Sequence, residues 1–315
     1  MATDAPALPF PARLKLYLDE RFPLTTHLVV VCAFFMSNYL LAERLVQPGA
    51  ARFGWRALSG MAAVLLSFFL LRIFDEFKDY ARDVIAHPDR VVSRGVMPLS
   101  ELKVMGWTVA MVLLLLNLPM GFTTITSYLL VITYALLMYK EFFVGEWLNK
   151  HIVLYALTHQ VITPLLCVYV FMLSATQAGA GWHGLFWLQL GMGAGTGLGW
   201  EMSRKIRMPV DEQPLADSYS KHFGAPGAAL MAFSSLLAGA GCALALGLEV
   251  GFGPVAYGLL GLGTLVTAFG FAQFLLRPTP KRAKGLDNWA AVLMLLCYVA
   301  IAVGAAAGRG IRLDF

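Results

Sequence analysis

Asp75, Asp79 and Asp83 recur every fourth residue within the run DEFKDYARD. In a helix this spacing stacks three carboxylates on one face, about 6 Å from one to the next. Like charges so placed repel, and ionisable groups at a membrane edge are costlier still. A divalent cation removes that cost, because Mg²⁺ prefers hard oxygen ligands and completes its shell with water and substrate phosphate oxygens. The three aspartates therefore read as metal ligands at the point where an apolar chain leaves the membrane. The same residues also allow a second reading, a solvated helix end, since Asp75–Lys78 and Asp79–Arg82 stand i, i+3 apart and can pair on a surface.

The elements that position these residues follow from composition. The chain has 315 residues, 58% hydrophobic and 14% charged, with a mean hydropathy of +0.68, whereas a soluble domain carries about 25% charged residues. Sequence predicts an all-α, polytopic membrane bundle forming one domain over 1–315. Nine apolar segments are long enough to cross, near 23–43, 57–74, 103–118, 122–139, 152–173, 184–200, 226–247, 253–276 and 289–307. The third and fourth form a tight hairpin. Residues 1–22 make an N-terminal segment in which LKLYL allows a short interfacial helix. The segments 75–102 and 201–225 are the polar loops.

With the N-terminus in the cytoplasm, all but Arg44, Arg52, Arg56, Arg309 and Arg312 of the 24 Lys and Arg fall on the cytoplasmic side. That distribution predicts a multi-pass protein of a bacterial-type inner membrane with its polar chemistry on the cytoplasmic face. The net charge of +5 is then explained by topology and lipid headgroups, and no nucleic acid is implied. Cys32, Cys167, Cys242 and Cys297 sit inside spans without CxxC spacing and read as small apolar residues.

The stretch from Asp75 to Asp83 resembles the NDxxDxxxD signature of the UbiA superfamily of intramembrane prenyltransferases. Asp75 stands for its Asn and Glu76 for its second residue, with Asp79 and Asp83 unchanged. HPDRVVSRGVMPLS then resembles the family's RPxxxG segment, with Arg90 and Gly95 in register and Val91 in place of Pro. The resemblance implies a UbiA-like bundle in which Mg²⁺ bridges the aspartates to the diphosphate of a polyprenyl donor. It implies further diphosphate contacts from Arg72, Arg90, Arg94, Tyr139, Lys140 and Lys221, with Lys140 as a phosphate clamp. It also places a second acidic motif at the end of the sixth span, where Glu201 stands for its first position and Asp211 or Glu212 for its last. Glu201 and Asp211 are thus candidate metal and catalytic residues, beside Asp217. Here the sequence departs from the family, because Arg204, Lys205 and Arg207 occupy the middle and Pro209 interrupts the helix. Cations cannot ligate Mg²⁺, but Arg204 and Lys205 can contact diphosphate directly; topology and lipid headgroups are their other explanation.

His159, Gln160 and Thr163, just before Pro164, and Asn38 read as interhelical hydrogen-bonding groups ahead of acceptor-binding ones. GMGAGTGLGW (191–200) reads as a close helix contact, not a nucleotide loop. The function implied is Mg²⁺-dependent transfer of a polyprenyl group from its diphosphate to a hydrophobic, aromatic or lipid acceptor. A membrane terpene cyclase of the same superfamily ionises the donor without an acceptor. A cation-dependent transporter is the alternative from another class, against which stand the one-sided acidic residues and the lack of an inverted repeat. No DGxxAR-type run of the CDP-alcohol phosphotransferases occurs.

Overall fold

The computed structural model describes residues 8–212 and 217–315. The start of the N-terminal segment and residues 213–216 of the second polar loop lie outside them. The helices are α1 (Phe10–Arg21), α2 (Leu24–Val46), α3 (Trp55–Ala86), α4 (Leu99–Asn117), α5 (Phe122–Tyr139), α6 (Gly145–Leu148), α7 (Ile152–Gln160), α8 (Ile162–Ala178), α9 (Phe186–Arg204), α10 (Tyr219–Val250), α11 (Pro254–Leu276) and α12 (Pro280–Ala306). Two short strands, β1 (Ala51–Gly54) and β2 (Ile311–Asp314), pair in parallel at one end of the bundle.

Among the described residues, eight helical stretches are long and apolar enough to cross a membrane, with α7 and α8 counted as one. The expected sixth span, α9, is not one of them, so nine apolar crossings do not emerge. The reason is composition: five helical glycines together with Gln189, Thr196 and Glu201 dilute its hydropathy. It does not need an apolar exterior, because α8, α10 and α12 surround it. Gln189 donates to Asn38 Oδ1 at 3.1 Å, which makes Asn38 an interhelical hydrogen-bonding group as read.

Close approach of α9 to α10 depends on glycine. A Cβ on Gly195 would lie 2.7 Å from the Gly239 backbone nitrogen, and one on Gly239 would lie 2.7 Å from that of Thr196. Both obstacles are main chain and cannot swing aside. The apolar stretch from 152 to 178 breaks at Val161, one turn before Pro164, whose missing N–H and ring bulk disrupt the preceding turn.

Three polar boundaries differ from the sequence expectation. α3 is 32 residues long, about 48 Å, against a hydrocarbon core of about 30 Å. Its helical hydrogen bonds therefore carry the aspartate run beyond the apolar span, and only the stretch after Ala86 is a loop. The second loop is likewise shortened, since α9 extends through Arg204 and α10 begins at Tyr219. Ser218 caps α10 by accepting from the Lys221 N–H at 3.2 Å. Gly224, with φ of 67°, makes the bend before Pro226 that separates this first turn from the long apolar part.

The N-terminal segment folds as a docked helix. Tyr17 is fully buried, its ring 6.4 Å from that of Phe69 and edge-on to it, while Arg13 pairs with Glu101. Glu20 accepts from the Val91 N–H at 3.0 Å, fixing the loop after α3. In that loop Gly95 has φ of 72°, a left-handed conformation that accounts for glycine at this position.

Replacing Gly239 by Val should wedge α9 from α10 and destabilise the bundle by roughly 1–3 kcal/mol or more. Thermal unfolding in detergent should show a clear drop in midpoint, while Gly241→Val, where the added Cβ meets nothing within 4 Å, should leave it nearly unchanged.

Candidate active site

Asp75, Asp79 and Asp83 face a common cavity of about 530 Å³ in which α3, α7 and α9 meet and to which α1 contributes Arg21. Glu76 is one residue on from Asp75 and so lies about 100° around the helix. It points away from the cavity, into α1. Its carboxylate is 3% exposed, and Oε1 alone accepts from Arg21 Nε at 2.7 Å, Arg72 Nη2 at 2.7 Å and Arg72 Nε at 2.9 Å. The second position of the acidic run is thus a structural hub and not a ligand position.

Each aspartate is already paired. Asp75 lies 3.5 Å from Lys78, Asp79 2.5 Å from Arg82, and Asp83 2.5 Å from Arg90 and 3.7 Å from Arg21. The i, i+3 pairs of the solvated-end reading do form, but the three aspartates and their partners all line the cavity.

Across the cavity, Glu201 lies in the last turn of α9. Its Oε2 accepts from Arg204 Nη2 at 2.6 Å and its Oε1 lies 2.9 Å from Lys205 Nζ. α7 forms the floor. Lys78 donates to Tyr155 Oη at 3.0 Å, and the ammonium groups of Lys78 and Lys205 lie 5.7 and 5.9 Å from the centroid of the Tyr155 ring. His159 stacks on that ring at 3.9 Å and donates its Nδ1–H to the Tyr155 carbonyl at 2.9 Å, leaving Nε2 buried without a hydrogen-bond partner. Above it, Glu141, Phe142 and Phe143 follow one another with positive φ. This is costly for residues with a Cβ and lays the Phe142 ring edge against His159 at 5.9 Å. Beside the ionic cavity, a groove of about 420 Å³ runs between α7, α9 and α10, lined mainly by apolar side chains with Tyr219 and two serines. Ala156 lines both spaces.

No family model and no curated protein matches the sequence. Solved structures do match in fold. A digeranylgeranylglyceryl phosphate synthase superposes with a TM-score of 0.64 at 17% identity, over 94% of this chain and 99% of that one. A UbiA homolog from Aeropyrum pernix K1 superposes with a TM-score of 0.68 at 18% identity, over 88% of this chain and 98% of that one. The chain has the fold of the UbiA superfamily. The resemblance first read from one acidic helix end therefore extends over nearly the whole chain.

Within this UbiA fold the cavity gathers Arg72, Asp75, Asp79, Asp83, Arg90, Glu201, Arg204, Lys205 and Asp217 of the sequence candidates. Asp217 is also held by His222 Nε2 at 2.9 Å. The remaining candidates do not line it. Asp211 sits in a 3₁₀ turn that Pro209 opens and pairs with Lys284 at 3.2 Å. Tyr139 packs against Phe74, and Lys140, where α5 ends, lies over the Tyr139 ring. Arg94 is exposed on the loop of Gly95, and Lys221 belongs to the first turn of α10. Conversely, Lys78, His159 and Gln160, which the sequence assigned other roles, line the cavity, as do Arg21 and Tyr155, which it did not single out as site residues. For His159 and Gln160 the available signal was a polar pair inside an apolar span.

Among the described residues no three His, Cys, Asp or Glu side chains converge as a metal cage. The donor set nonetheless suits Mg²⁺, which takes one or two protein carboxylates and completes its shell from phosphate oxygens. The α3 face can offer such carboxylates once their Lys and Arg partners turn to an incoming anion.

Removing the Glu76 charge as Glu76→Gln takes away the carboxylate that Arg21 and Arg72 share, leaving only the longer Asp83 contact to Arg21. Loss of about 3 kcal/mol is expected, with α1 released first. Hydrogen exchange should show faster exchange at residues 10–21 than in wild type, and a lower unfolding midpoint.

Proposed function

We propose that this protein transfers a polyprenyl group from a polyprenyl diphosphate to a hydrophobic acceptor in a Mg²⁺-dependent reaction, the chemistry of UbiA-type prenyltransferases. The observation that carries this reading is the ionic cavity, walled by the α3 aspartates on one side and by Glu201, Arg204 and Lys205 on the other, within a UbiA fold. The one-sided distribution of Lys and Arg supports a cavity on the cytoplasmic face.

Asp75, Asp79 and Asp83 would hold Mg²⁺, which when bound neutralises charge on the departing diphosphate. Arg72, Arg90, Lys78, Arg204 and Lys205 bind and orient the diphosphate by charge-assisted hydrogen bonds. The Tyr155 ring, stacked on His159, helps to hold Lys78 and Lys205 where the diphosphate binds. The groove that shares Ala156 with the cavity accepts the hydrocarbon tail, so one amphiphile is read by two adjoining surfaces of opposite character.

Diphosphate release from geranyl, farnesyl and geranylgeranyl diphosphates is the test, with the organic product identified in the same assay. Release should need Mg²⁺, stop with EDTA and fall about 100-fold or more in Asp79→Ala. A prenylated acceptor marks a transferase and a cyclic hydrocarbon a cyclase. Release that ignores both EDTA and Asp79→Ala, or no release from any donor with candidate acceptors present, would refute the assignment.

A further inference from the structure

Both oxygens of Glu201 are occupied by cations. Oε1 is 2.9 Å from Lys205 Nζ, and Oε2 accepts from Arg204 Nη2 at 2.6 Å and Nε at 3.1 Å. The carboxylate is thereby engaged in holding two cations at the cavity wall. Lys78 reaches the same place from α3, so that two ammonium groups stand over one Tyr155 ring at 5.7 and 5.9 Å. Each is backed by a carboxylate, Asp75 for Lys78 and Glu201 for Lys205. An ammonium has three donors and a guanidinium five, so all three cations keep N–H groups beyond those their carboxylates engage. Like charges brought together in this way are stabilised by an anion placed between them.

The charge balance points the same way. Seven Lys and Arg but five Asp and Glu line the cavity, and Glu76 behind Arg21 and Arg72 adds a sixth carboxylate, so a surplus of positive charge stands there before any metal enters. One divalent cation on the α3 side leaves a bound diphosphate matched to that surplus, whereas a second adds positive charge beside Arg204 and Lys205. Asp211, the other expected ligand of a second cation, is directed to Lys284 instead.

We propose that the α9 side of the cavity is a metal-free anion clamp, in which Lys78, Arg204 and Lys205 bind diphosphate oxygens directly and Glu201 is their positioning residue. The site then takes one divalent cation, on α3. This inference takes its ligand class from the function proposed above, and it is tested without turnover, so that the two can fail separately.

Inorganic diphosphate is titrated calorimetrically into the full-length protein in detergent with EDTA present, and bound Mn²⁺ is counted by electron paramagnetic resonance once diphosphate is added. Wild type should bind diphosphate in EDTA. Arg204→Gln and Lys205→Met, which remove the charge and keep an unbranched chain, should each weaken that binding about tenfold, with unfolding midpoints confirming that both variants fold. One Mn²⁺ per chain should bind in wild type and in Glu201→Gln, and none in Asp79→Asn. Absence of diphosphate binding in EDTA, wild-type binding by both clamp variants, or two Mn²⁺ per chain falling to one in Glu201→Gln would each overturn the clamp. A protein that binds diphosphate in this manner yet ionises no prenyl donor would refute the assigned reaction and leave the clamp standing.

Discussion

The buried carboxylate of Glu76 organises the end of the bundle on which function depends. A 3%-exposed carboxylate can be kept in a low-polarity setting only when its charge is met, and here Arg21 and Arg72 meet it on a single oxygen. The consequence is geometric. Arg21 belongs to α1, so the pair ties the N-terminal helix against α3 and brings a guanidinium from a distant part of the sequence to the cavity. With Glu76 committed inward, helical geometry leaves Asp75, Asp79 and Asp83 facing the cavity.

A second constraint follows from the bilayer. Backbone polar groups have no partner in hydrocarbon, so spanning segments remain helical, and ionisable groups collect where helices emerge. α3 is long enough to carry its acidic face past that boundary, and Glu201 stands in the last turn of α9 opposite it. Glycine completes the arrangement at a distance, since Gly195 and Gly239 let α9 and α10 approach backbone to backbone. The opposite end is closed by other means. Glu43, fully buried, accepts from Ser174 and from the Arg52 N–H, and Arg44 donates to carbonyls at the C-terminal ends of α10 and α12.

Much of this was legible in one dimension because it rests on local periodicity. Four-residue spacing placed three carboxylates on one face, apolar run length marked the spans, and the glycine run of α9 marked a close helix contact. The segment 184–200 read as a sixth span, but α9 is less apolar than the other long helices, because a helix wrapped by other helices is free of the demand for an apolar exterior. Asp211 illustrates another limit. Its position after a broken acidic motif suggested a ligand, but Pro209 turns the chain and α12 supplies Lys284 as its partner. Lys78 read as a surface partner of Asp75, and its place over Tyr155 depends on a helix 77 residues away in the chain. The left-handed Glu141–Phe143 turn carries no glycine to announce it.

The sequence by itself determined the class of molecule, the helical and membrane character of its segments and the identity of one acidic face, since each follows from composition or from contacts a few residues apart. Only the tertiary structure decided which charges are neighbours. Helix packing made Glu76 a hub, made Glu201 the holder of Arg204 and Lys205, and set a cation-rich cavity beside an apolar groove. Charges act through space at distances of a few ångströms, so their meaning depends on residues that the chain keeps far apart and the fold brings together.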